Sequence, residues 1–172
     1  METTKNNLPS NVTKFFHNLS EYLDTTLLYY GSVQRSDYIP GKSDIDVVIF
    51  TENEHSIMSK MQHFLNIERD KFKKIIWVIE DVYVEGYKIM YKNLEEKIVA
   101  EFTIYNEKFK KSVIKEQTRR LELPLYISVI LYIVKFLYYK LNLFPQRIYA
   151  KCKNFILHSL NGEPDDIFFI LE

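Results

Sequence analysis

One cysteine in 172 residues, Cys152, excludes an intramolecular disulfide framework and leaves no thiolate cluster for zinc, which fits a reducing compartment. The four histidines, His17, His55, His63 and His158, stand at no metal-ligand spacing and read as ordinary surface or core residues. Long hydrophobic runs are also missing. The most apolar segment, Leu125 to Leu141, covers 17 residues and contains Lys135 and Lys140, too short and too charged for a membrane span. The opening stretch, Met1 to Ser10, is polar and does not resemble a signal peptide, so the expected location is cytoplasmic and the sequons at Asn11 and Asn18 carry no meaning. Charge of one sign is absent as an excess, with 23 basic and 23 acidic residues. No internal repeats occur.

What is present is an ordinary globular composition, 47% hydrophobic and 27% charged, long enough for one domain or a core with a helical appendage. The 13 tyrosines and 12 phenylalanines are numerous, but no function is read from them. Val12, Phe15, Phe16, Leu19, Tyr22 and Leu23 recur at helical spacing, which predicts an amphipathic helix over Asn11 to Asp24. A second helix is predicted over 54–66 from Ile57, Met58, Met61, Phe64 and Leu65. Strands are expected at Thr26 to Tyr30, Asp44 to Thr51, Lys74 to Ile79, Tyr87 to Lys92 and Lys97 to Tyr105, with Glu85-Gly86 and Asn93 to Glu96 as turns. From Glu107 onward the pattern becomes helical: a basic helix to Leu121, helices opened by Pro124 and Pro145, and Gly162 past the end of the last. The tail from Glu163 carries no signal. The sequence therefore predicts an α+β core over 1–106, a mixed sheet with helices on one face, and a helical C-terminal subdomain over 107–172.

The chemistry concentrates in LLYYGSVQRSDYIPGKSDIDVVIF, where an apolar run ends at Gly31-Ser32 and a polar loop leads to a second run carrying Asp44-Ile45-Asp46. In a strand, residues i and i+2 share a face, so Asp44 and Asp46 project together while Ile45 and Val47 face a core. Two carboxylates in one space repel unless a divalent cation neutralises them, and Mg²⁺ is the oxygen-seeking ion such pairs hold alongside substrate phosphates. Gly31 admits backbone angles closed to other residues, and Ser32 offers a hydroxyl and an N–H to an anion. Gly41-Lys42-Ser43 imitates a Walker loop, but the first glycine of that motif would fall at Ser36.

Gly31-Ser32-Val33-Gln34-Arg35 followed by Ser43-Asp44-Ile45-Asp46-Val47 resembles the signature of the polymerase-β-type nucleotidyltransferases, most closely the minimal nucleotidyltransferases and their kanamycin nucleotidyltransferase relatives. The likeness is tight over 28–50, topological to about 105, and fades beyond. It implies a polymerase-β-like fold, a nucleoside triphosphate donor held by Gly31 and Ser32 with Arg35 and Ser43 in the same motif, Mg²⁺ or Mn²⁺ on Asp44 and Asp46, and a third carboxylate on a later strand. This chain departs from many small members in having Ser36, not glycine, after the arginine.

Alternation over Lys97 to Tyr105 makes Glu101 the candidate third ligand, since a carboxylate among apolar neighbours needs a partner; Glu80 and Asp81 are the alternatives. Two such ions about 3.5–4 Å apart would activate an acceptor hydroxyl and steady the leaving pyrophosphate. Ser128, Lys135 and Asn142 recur every seven residues on the apolar helix. Turned toward the cleft, that stripe would bring Lys135 to the triphosphate; turned outward, it is a solvated stripe. Leu123 to Gly162 contains no Asp or Glu, a basic bias that admits an RNA end as acceptor beside the small-molecule hydroxyl or protein side chain. The rival from another class is a nucleotide- or partner-binding module without turnover.

Overall fold

The computed structural model describes residues 2–157 and 168–171. Helix α1 (Ser10–Leu23) buries Val12, Phe16, Leu19 and Leu23 along one stripe and stops where Asp24 adopts a left-handed conformation. Helix α2 (Glu54–Leu65) starts at Asn53, whose side chain accepts a hydrogen bond from the Ser56 N–H at 3.0 Å, and ends at left-handed Asn66. These two helices cover one face of a six-stranded sheet.

The strands are β1 (Leu28–Tyr30), β2 (Ile45–Thr51), β3 (Lys73–Ile79), β4 (Val82–Asn93), β5 (Ile98–Asn106) and β6 (Phe168–Leu171), in spatial order β1-β2-β5-β4-β3-β6. Only β2 and β5 run parallel. Alternation sends Ile45, Val47 and Ile49 of β2 with Ile98, Ala100, Phe102 and Ile104 of β5 into the core beneath α1 and α2. The other face carries Val48, Phe50, Ile75, Trp77 and Tyr105, and α3 (Lys110–Arg119) packs there through Val113. Helices α4 (Leu125–Tyr139) and α5 (Gln146–Phe155), each preceded by its proline, join around Ile127, Leu131 and Ile156.

Two local expectations are corrected. Glu85 and Gly86 lie inside β4, and the hairpin bends instead at Glu80 and Asp81, both left-handed. Gly86 is there because the Tyr105 ring lies over it, where a Cβ would approach within 2.6 Å of the ring. The tail is not featureless, since Phe168–Leu171 pairs with β3. The helix end expected at Gly162 falls outside the described residues. No helix among them is long and apolar enough to cross a membrane.

Candidate active site

The chain leaves β1 at Tyr30 and bends at Gly31, φ +66°, into a single 3₁₀ turn over Gly31–Gln34. Gln34 fixes the bend from inside: its buried amide donates to the Tyr29 carbonyl at 3.0 Å and the Thr3 carbonyl at 2.6 Å. A side chain at Gly31 is excluded twice, by the left-handed backbone and by the Asp46 carboxylate, which fills the space a Cβ would take. Gly31→Ala is therefore expected to lower unfolding stability by roughly 2–4 kcal/mol, from left-handed strain and a displaced Asp46. Urea unfolding measures it, and an unchanged midpoint would mean the turn is not built this tightly.

Asp46 lies directly across from Tyr30 on β1 and from Glu101 on β5, so the bend and two carboxylates occupy one row of the sheet. Asp44 precedes β2. All three acids line a single cavity of about 520 Å³ with Gly31, Ser32 and Arg35. Trp77, Tyr105, Gln117, Arg120 and Asn154 also line it. The Asp46 carboxyl is pushed up to about 7, first by burial and then by the charges of Asp44 and Glu101, while Lys153 and Arg35 pull it the other way. Among the described residues, the buried hydroxyls of Ser32 and Tyr30, both of which line the same cavity, have no hydrogen-bond partner. A cluster of acids that raises its own proton affinity, next to an orphaned buried hydroxyl, fits a cation with its attendant oxygens. The acids do not yet enclose one: among the described residues no three such side chains converge on a common point. Glu101 is instead joined to Lys88 at 2.7 Å.

Arg35, Ser43 and Lys135 meet around a residue the sequence did not single out. Asp37 is fully buried and receives the Arg35 guanidinium at 2.8 and 3.2 Å and the Lys135 ammonium at 2.9 Å. Lys135 also reaches the Ser43 hydroxyl at 3.4 Å, and that hydroxyl accepts from the Ile39 N–H at 3.1 Å. Burial alone would raise the Asp37 carboxyl, but Arg35 and then Lys135 outweigh it and hold the group below the ordinary range. Lys135 is lowered, first by burial; Asp37 offsets part of this, and the like charges of Arg35 and Lys153 add to the lowering. Arg35 lines the cavity; Ser43 and Lys135 stand behind it, pinning the loop between Gly31 and Asp44 to α4. Lys135 is 3% exposed and faces neither solvent nor the cleft, whereas Ser128 is half-buried and Asn142, past the end of α4, is exposed, so the three do not share one environment. The alternative third carboxylate Glu80 pairs with Lys115 at the β3–β4 hairpin, away from the cavity lining.

Lys88, Lys153 and Arg120 are cations at the cavity that sequence reasoning did not place there. Lys88 had a signal, since it shares the sheet face of Glu101 once the β4–β5 register is known. Asp37 had a weaker one, its Arg-x-Asp spacing from Arg35. Arg120 sits over the Trp77 ring at 4.7 Å, a placement that no local pattern announces.

The chain belongs to the nucleotidyltransferase domain family, whose model matches residues 11–121, and its architecture is the polymerase-β-like fold of the minimal members. Membership carries the general function of nucleotidyl transfer and implies a nucleoside triphosphate substrate. No curated protein matches the chain.

Proposed function

We propose that this protein transfers a nucleoside monophosphate from a nucleoside triphosphate to an acceptor hydroxyl and releases pyrophosphate, with Mg²⁺ or Mn²⁺ as cofactor. The observation that carries this reading is the contact between the Gly31 bend and the Asp46 carboxylate, which joins the expected phosphate cradle to the expected cation ligands. Asp44 and Asp46 would hold the cation, with Glu101 as third ligand. Bound there, a divalent ion supplies charge neutralisation for the phosphates and acidifies the acceptor hydroxyl.

The chain's own groups account for the rest. The Gly31-Ser32 bend would offer N–H and hydroxyl donors to the triphosphate, and the Arg35 and Lys153 charges offset part of the negative field of the acids there. The acceptor oxygen attacks the α-phosphorus in line as the bond to pyrophosphate breaks, and one of the carboxylates takes the hydroxyl proton. The acceptor is a small molecule or a protein side chain. The experiment supplies each labelled nucleoside triphosphate with Mg²⁺ or Mn²⁺ and a cell extract, and follows pyrophosphate and labelled product. Glu101→Gln should reduce the rate about 100-fold, and near-normal turnover would remove Glu101 from the site.

A further inference from the structure

Glu101 stands between opposite charges. On one side its register partner is Asp46 of β2; on the other, Lys88 rises from β4 one pleat away, opposite Thr103, and closes on the carboxylate at 2.7 Å. Both members line the cavity and both are only partly shielded, at 32% and 23% side-chain exposure, so neither is locked in a packed core. Asp44 and Asp46 have no comparable clasp: among the described residues neither forms an ion pair with a basic side chain. The protein therefore neutralises one of its three acids directly and leaves two to the cavity.

We propose that Lys88 is a tethered counter-ion for Glu101, which holds the carboxylate in the metal-free protein and must release it before a divalent cation can take it as a ligand. The proposal rests on the nucleotidyltransferase reading above. An ammonium and a divalent ion compete for the same oxygens, so Lys88 weakens metal binding to the protein alone. Once released, its flexible stem keeps the charge inside the cavity, where phosphate oxygens offer a replacement anion. Metal occupancy is in this way made conditional on the arrival of the anionic substrate.

The test titrates Mn²⁺ into nucleotide-free protein and reads the free ion by its paramagnetic resonance signal. Lys88→Met should bind Mn²⁺ about tenfold tighter than the unsubstituted protein, with Lys88→Gln as a second neutral variant and far-ultraviolet circular dichroism to establish folding. Glu101→Gln should weaken binding, and Lys88→Met added to Glu101→Gln should give no further gain, because the competition acts through that carboxylate. An equal gain in both backgrounds would show a general charge effect and overturn the clasp. So would Lys88→Met binding no tighter while Glu101→Gln weakens. Absence of Mn²⁺ binding in every form would instead overturn the metal-dependent reading itself and this proposal with it.

Discussion

Replacing Asp46 with asparagine is expected to cut nucleotidyl transfer by about 10³-fold and, at the same time, to make the protein harder to unfold above neutral pH. The two effects have one origin. Asp46 is crowded by Asp44 and Glu101 in a cavity that shields it, and its carboxyl is pushed from 3.8 to about 7. Below the ordinary carboxylate value the group is protonated in both folded and unfolded states and contributes no pH dependence. Between there and about 7 only the folded protein retains the proton, so stability falls as pH rises, and the full penalty is present above about 7. Asparagine removes a penalty on the order of a few kcal/mol together with the slope. Thermal unfolding of both proteins across pH 4–9, without divalent cations and next to the transfer assay, checks the pair of outcomes. An Asp46→Asn protein that keeps its turnover, or loses stability at pH 8, would mean that Asp46 is not an acid held in readiness for a cation.

A large loss of stability is expected from Lys135→Met. Removing Lys135 strips one of two cations from a fully buried carboxylate, and breaking such a pair costs about 3–5 kcal/mol because the remaining charge has no water to turn to. Arg35 still holds Asp37, so the loss belongs toward the lower end. The double variant Asp37→Asn with Lys135→Met should be more stable than the sum of the singles predicts, since it leaves no orphaned charge behind. Urea midpoints of the four proteins measure this. A loss under about 1 kcal/mol for Lys135→Met would place the pair with ordinary surface ion pairs. Such a result would also detach α4 from its role of anchoring the loop between Gly31 and Asp44.

The placements that follow from the alternation of one strand were legible beforehand. The period of two set Asp44 and Asp46 toward one side, and the same alternation on β5 set Glu101 on the cavity face. Gly31 was legible because few other reasons put glycine at the end of an apolar run, although the overlap with Asp46 could be known only from the fold. Lys135 was not legible. Its seven-residue stripe is compatible with water, a cleft or a core, and what decides is Asp37, 98 positions earlier in the chain. Gly86 misled for a related reason: glycine reads locally as a turn, whereas here it makes room for an aromatic ring from the neighbouring strand. β6 escaped because four apolar residues in a tail carry no periodicity, and only the exposed flank of β3 gives them a place.

The sheet finishes on its two shortest described strands, three residues in β1 and four in β6. Unpaired backbone at a sheet margin is a template on which further chains can stack, and brevity limits how much of it is on offer. Were β6 absent, the margin would pass to β3, whose KKIIWVI holds five apolar residues in succession. The four residues of β6 thus pair along a margin longer than the one they expose.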